Sequence, residues 1–289
     1  MRQASEHSHL VVGCGHVGTR LAEALGKRVT GAVRSAASAR RLQALGIPAL
    51  LMDLDRPVAT DLSGFERIWY LAPPPKGGER DPRMGRFLEA LERSGGRRRV
   101  VYLGTTGVYG DCGGRWVDET HPIAPRVERA LRRADAENRL RAWRRRGGGE
   151  LVLLRVAGIY GPGKLPLERL RAGKPMLAPE QAPWTNRIHL HDLVRVLVAA
   201  MERGGDGAVY NVSDGHPGNM ADYFNAVADA AGLPRPPVIA PDRAEEALSA
   251  GLRAYLAESR RIDNRKMLRE LGVTLRYPTL EAGLRGCFR

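Results

Sequence analysis

The chain has 289 residues, 43% hydrophobic and 27% charged, room for one large α/β domain with a smaller companion. That balance excludes wholesale disorder. No apolar run reaches the roughly 20 residues needed to span a bilayer; the longest candidate, 193–201, is interrupted by Arg195. The N-terminus lacks the basic start and long apolar stretch of a secretion signal. Cys14, Cys112 and Cys287 are odd in number and far apart, so reduced thiols in the cytoplasm are expected, with no disulfide framework and no metal site.

Lys and Arg together number 46 against 32 Asp and Glu, a formal charge of +14. Only five of the basic residues are lysine. The densest cluster, 126–146, carries Glu128, Asp135 and Glu137 among its arginines and reads as the solvated face of a helix. No zinc finger, RNA-binding signature or basic–aromatic stripe is present, so no specific nucleic-acid partner is expected.

In chain order, a polar tail at 1–7 leads into a short apolar strand at 9–13 and a helix at 17–25. A second strand at 28–33 precedes an Ala/Arg-rich helix at 36–45, and further strands fit 49–52, 67–71, 99–103 and 150–155. Strands alternating with amphipathic helices predict βαβ units and a doubly wound parallel sheet. Pro73, Pro74 and Pro75 remove successive backbone donors and mark a loop through Gly78. Gly147 to Gly149 end the arginine-rich helix, 161–181 is loosely patterned, and helices resume at 191–201, at 221–231 and after Pro241.

Gly13-Cys14-Gly15-His16-Val17-Gly18 matches GxGxxG between a strand and a helix. The first glycine permits the tight turn, the second lets backbone approach a pyrophosphate, and the third allows close helix–strand packing; the helix N-terminus supplies unpaired N–H groups. Such a site for NAD usually carries Asp or Glu at the end of the second strand. Here that strand ends in Arg34 and Ser35, with Arg40 and Arg41 nearby, and a cation there suits the adenosine 2′-phosphate. NADP is therefore the expected cofactor, with NAD the alternative.

These features, with Val100 to Gly110 around Thr105 and Tyr109, Leu154 to Gly163, and Arg187-Ile188-His189-Leu190-His191-Asp192, resemble an extended or atypical short-chain dehydrogenase/reductase. The nearest likeness is to YeeZ-like members of the NAD-dependent epimerase/dehydratase family. The resemblance implies a Rossmann domain over 8–162 with 188–213, and a small substrate-binding subdomain over 163–187 with 214–289. It places Asp53 and Leu54 beside adenine, Leu71, Ala72 and Pro73 beside the cofactor ribose, and Val156 beside the nicotinamide. It also makes Thr105 the residue that orients a carbonyl. The expected partner is a small-molecule substrate, with a homodimer allowed and no membrane.

The family's Tyr-x-x-x-Lys pair is not where the resemblance requires it. A glutamate commonly follows the lysine by four positions, and anchoring on Glu137 puts Arg133 at the lysine position and Arg129 at the tyrosine position. Tyr160 and Lys164 have the spacing, but the intervening glycine and proline forbid one helical turn. General acid catalysis contributes typically ~10²–10⁴-fold, so reduction survives its loss if another donor serves; Tyr109 is the candidate. Arg133 can hold a ribose but is no proton relay. Three functions follow: an NADP-dependent oxidoreductase on a small carbonyl or hydroxyl compound, a non-catalytic dinucleotide-binding sensor, or a sugar-nucleotide epimerase or dehydratase. Against the last stands Thr185, where such enzymes place a phosphate-binding arginine.

Overall fold

The computed structural model describes residues 9–288, so the predicted tail at 1–7 lies outside the described residues. Seven strands form one parallel sheet: β1 (His9–Val12), β2 (Val29–Val33), β3 (Ala49–Leu51), β4 (Arg67–Tyr70), β5 (Arg98–Leu103), β6 (Gly149–Val156) and β7 (Val209–Val212). Their order is β7-β6-β5-β4-β1-β2-β3. The chain winds outward from β1 in one direction and restarts at β4 in the other, the doubly wound Rossmann arrangement.

The strands are apolar runs because a parallel sheet is covered on both faces. Alternate residues take opposite sides. Val11, Trp69, Val101 and Val152 enter one core, with helices α1 (His16–Leu25), α2 (Ala36–Ala44) and α5 (Leu190–Arg203). Leu10, Ile68, Val100 and Leu151 enter the other, with α3 (Pro82–Ser94) and α4 (Glu128–Arg145). A third cluster joins Tyr160, Leu170 and Met176 to α6 (Met220–Ala230) and α8 (Leu280–Cys287). Between those helices lies α7 (Arg265–Leu271).

Four short strand pairs lie outside the sheet and were not expected from the sequence. Gly158–Tyr160 pairs with Arg187–His189, Trp184–Thr185 with Gly218–Asn219, Trp116–Val117 with Arg261–Ile262, and Met176–Leu177 with Val238–Ile239. Segments of two or three residues are too short to display a period. Helix α5 starts one residue earlier than expected, and the side chain of His189 caps it by accepting from His191 N. The Asp192 carboxylate accepts the backbone N–H groups of Arg276 and Tyr277, each at 2.8 Å, and anchors the C-terminal tail. Among the described residues no helix is long and apolar enough to cross a membrane. The three cysteines are free, Cys14 and Cys112 buried and Cys287 half-buried.

Candidate functional site

The reversal of strand order between β1 and β4 opens a crevice at their C-terminal ends, and the glycine loop forms its floor. Gly13 has φ +79°, and a Cβ there would lie 2.5 Å from the Ala72 backbone. Only glycine lets the loops after β1 and β4 approach this closely. Gly13 N and Cys14 N both donate to Ala32 O at 3.0 Å, and Leu71 N donates to Val12 O at 2.8 Å. Gly18 meets Val11: a Cβ would come within 3.0 Å of its Cγ1, which seats α1 on the sheet. Gly15, by contrast, opens to space: a Cβ there would come no nearer than 4.0 Å to any neighbour, Gly13 O. Helix α1 has no side-chain cap and no acid in its first turn, so its leading N–H groups remain available to an anion. Val17 is half-buried behind the loop, and His16 Nε2 sits 3.1 Å from Pro162 O, bridging the glycine loop to the segment after β6.

Two adjoining cavities extend from this loop along β2. One, of about 470 Å³, is lined by Gly13, Gly15, His16, Arg34, Ser38 and Arg41 among others, with no carboxylate. The second, about 410 Å³, shares Gly13, Val33, Arg34 and Pro73 with the first and adds Asp53, Leu54 and Asp55. Ser35 caps α2, accepting from Ser38 N and donating to Ser38 Oγ, and Arg41 donates to the same Oγ at 2.8 Å. No acid occupies that helix's first turn either. Asp53 opens a turn, accepting from Asp55 N at 3.0 Å, while still lining the cavity. Asp55 takes a two-pronged bond from Arg83 at 2.7 and 2.6 Å and lies 3.6 Å from Arg34. The Arg83 guanidinium holds the Asp55 carboxyl below the usual carboxylate range.

On the other side of the crevice, Arg133 reaches from α4 across the strand ends. Its Nη1 donates to Leu103 O at 3.2 Å, Tyr102 OH at 3.3 Å and Ala72 O at 3.5 Å. Thr105 stands two residues beyond β5 and accepts from Gly107 N at 3.1 Å. Its turn abuts the first turn of α4, since a Cβ on Gly107 would lie 3.9 Å from Ala130 Cβ. Arg129, exposed on that first turn, and Arg133 are one helical turn apart and so share a face of α4.

The family model for the NAD dependent epimerase/dehydratase family matches residues 84–213. Protein YeeZ of Escherichia coli strain K12 is 26% identical over 281 residues, 93% of this chain and 95% of YeeZ. A solved structure of a functionally unknown conserved protein from Silicibacter pomeroyi DSS is 35% identical, covers 96% of this chain and 97% of its own, and superposes with a TM-score of 0.83. Over residues 84–213, just under half of its length, the chain is similar to the NAD-dependent epimerase/dehydratase family. A further relative, the 4-hydroxy-2-methyl-3-oxo-4-farnesyl-3,4-dihydroquinoline-1-oxide ketoreductase of Stigmatella aurantiaca, is 25% identical over 242 residues, 76% of this chain and 72% of that enzyme.

Against the family's pattern, the structure lines one crevice with Gly13, Gly15, His16, Arg34, Asp53, Leu54, Ala72 and Pro73, while Ser35 caps α2 and Gly18 packs beneath the loop against Val11. Val156 closes β6 and is buried. Tyr109 is a correction. Its side chain is 1% exposed, its hydroxyl donates to Asn211 Oδ1 at 2.7 Å, and its ring lies 4.7 Å beneath the Arg155 guanidinium. Burial pushes its pKa up to about 12. A phenol so enclosed cannot meet a substrate oxygen, so the expected role as proton donor does not hold. Sequence reasoning passed over Ser38, Asp55 and Arg83. The spacing of Ser35, Ser38 and Arg41 at successive threes was a legible sign of one helix face; nothing local announced Arg83, which arrives from α3.

Proposed function

We propose that the chain is an NADP(H)-dependent oxidoreductase acting on a small carbonyl or hydroxyl compound, without the family's Tyr-x-x-x-Lys chemistry. The observation that carries the cofactor choice is the carboxylate-free cavity beside the glycine loop, lined by Arg34, Ser38 and Arg41. A 2′-phosphate there would receive two guanidinium groups and the N-terminal N–H groups of α2. The pyrophosphate would lie over Gly15 at the start of α1, and Arg133 would hold the nicotinamide ribose. The nicotinamide supplies the hydride when bound; Thr105 orients the carbonyl, Arg129 stabilises negative charge on its oxygen rather than transferring a proton, and water supplies the proton that completes the alcohol. The likeness to a ketoreductase supports reduction over epimerisation, as does Thr185, which is buried and bonded to Gly218 O at 3.0 Å. The segments 163–187 and 214–289 would form the lid over the substrate.

The enclosure of Tyr109 favours a second reading, a dinucleotide-binding protein without turnover. Calorimetric titration with NADPH and NADH tests the first claim: NADPH should bind at least about tenfold more tightly, a difference of about 1.4 kcal/mol. Arg34→Asp should erase or invert that preference. Equal affinities in the parent would remove the case for NADP. Single-turnover oxidation of bound NADPH by a panel of carbonyl compounds then separates reductase from binder. Gain of turnover in Arg129→Tyr with Arg133→Lys, absent in the parent, favours the binder.

A further inference from the structure

Two of the four tryptophans do not behave as hydrophobic residues should. Trp69 and Trp143 are each 1% exposed, whereas Trp116 is 53% and Trp184 43% exposed. Leaving an indole in water forfeits the stabilisation that burial would give, and exposed tryptophans are kept few unless they serve a contact. These two come from separate segments and converge on one cation. The Arg261 guanidinium carbon lies 5.5 Å from the Trp116 ring centre and 5.3 Å from that of Trp184, within cation–π reach of both. Its Nε donates to Gly114 O at 2.6 Å, which fixes the plane. Among the described residues no carboxylate pairs with it and no acceptor is hydrogen-bonded to its Nη groups.

The base of this arrangement is rigid. Trp116 and Arg261 are adjacent in a strand pair, Trp184 N donates to Ser259 Oγ at 3.1 Å, and Arg260 N donates to Trp184 O at 3.3 Å. Beneath them Arg260 Nη1 donates to Gly110 O at 2.7 Å and pairs with Glu258 at 2.9 Å, both residues buried. The location links it to the chemistry. Val117 and Ile262, next to Trp116 and Arg261 in the strand pair, pack with Tyr109, four residues after Thr105. Trp184 lies three residues before Arg187 of the Arg187–His189 strand, whose partner, Gly158–Tyr160, starts two residues after Val156.

We propose that Trp116, Arg261 and Trp184 form an outer subsite that recognises a planar aromatic ring bearing a carboxylate. The ring stacks on an open indole face, as aromatic groups do on such platforms. The carboxylate meets the solvent-facing edge of the guanidinium, whose two donors match its geometry. This names the substrate class for the oxidoreductase reading and rests on it: the reducible carbonyl belongs to a molecule whose distal part is an aromatic acid.

Calorimetry on the full chain tests it with three probes: naphthoate, cyclohexanecarboxylate (charge without the ring) and naphthylmethanol (ring without the charge). Naphthoate should bind at least about tenfold more tightly than either. Trp116→Leu with Trp184→Leu should abolish the advantage over cyclohexanecarboxylate, and Arg261→Gln the advantage over naphthylmethanol. Naphthoate binding no tighter than cyclohexanecarboxylate, or unchanged by the double tryptophan replacement, overturns the proposal. NADPH affinity is measured on every variant and should equal the parent's, which shows that the fold is intact. Failure of the parent to bind NADPH while naphthoate binds as expected would sink the dinucleotide reading and leave the subsite standing.

Discussion

At the scale of single residues, the decisive feature is where a hydroxyl points. Tyr109 stands four residues after Thr105, close enough in sequence to suggest a proton donor, yet its OH is spent on Asn211. Asn211 is itself held on all sides, its Nδ2 donating to Val117 O at 3.2 Å and its backbone N–H to Glu119 at 2.7 Å. Tyr109→Phe would strand the Asn211 carbonyl oxygen, a loss of about 1–3 kcal/mol for an unsatisfied buried group. Urea unfolding should show that loss, while NADPH affinity and any carbonyl turnover stay at the parent's level. A tenfold fall in turnover with stability unchanged would restore Tyr109 to the chemistry. Arg133 shows the opposite outcome: a residue unsuited to proton transfer lies at the crevice, anchored by two strand-end carbonyls.

Among elements, α4 is the one on which the site depends, and a buried ion pair sets its position on the sheet. Glu137 is 0% and Arg155 3% exposed; Arg155 donates to both carboxylate oxygens, at 3.2 and 2.9 Å, and Arg141 adds a bond at 3.0 Å. Removing one partner of a buried pair leaves an uncompensated charge and costs about 3–5 kcal/mol. Glu137→Leu should therefore lower the unfolding midpoint in urea sharply. Pairing it with Arg155→Met should recover much of the loss, because both buried charges are then gone and Arg141, 30% exposed, can turn to water.

The junction of β7, α5 and the third core should respond to pH in two opposed ways. His189 lies between Tyr160 and Tyr277, ring centres 5.2 and 4.0 Å away, and burial lowers its pKa from 6.5 to about 4. Burial raises Asp214 from 3.8 to about 7, against the bond from His216 N and the nearby Arg187. The His189 contribution is complete above about pH 6.5 and is lost as the pH falls toward 4, because the unfolded chain then binds the extra proton. The Asp214 contribution is complete below about pH 3.8 and is lost as the pH rises toward 7, because the folded chain holds the proton. Across a thermal-unfolding series, Asp214→Asn should gain on the parent with rising pH and His189→Gln with falling pH. Parallel curves for parent and variant would refute the assignment.

For the whole molecule, the charge of +14 is the property most open to misreading. Much of the arginine-rich helix is locally compensated: Arg132 pairs with Glu128, Arg139 with Asp135, Arg144 with Asp206 and Arg146 with Glu92. Such pairs, exposed except at the buried Arg132, add little stability, but they break up the positive field. Binding to duplex DNA should be weak, indifferent to sequence and steeply reduced between about 50 and 200 mM salt, since it would rest on phosphate contacts alone. Fluorescence anisotropy with two unrelated duplexes checks this; tight binding to one of them at physiological salt would mean a nucleic-acid function.

The sequence by itself determined the sheet, its parallel sense and the glycine loop. Those are local requirements: strands buried on both faces need unbroken apolar runs, and a strand-to-helix turn at Gly13 needs a residue tolerant of positive φ. It also marked Arg34 and Ser35, because the end of a strand adjoining such a loop is a fixed offset along the chain. The tertiary structure alone decided which way the polar side chains turn. The partner of Tyr109 lies 102 residues away, and those of Asp192 lie 84 and 85 residues away. Arg133 meets Ala72 at a separation of 61 residues. Arg261 meets its two tryptophans only because short strands from three distant segments come together. Periodicity records which face of an element is dry; it carries no information about which distant donor or acceptor a buried polar group will find, and in this chain that choice determines which residues can meet a ligand.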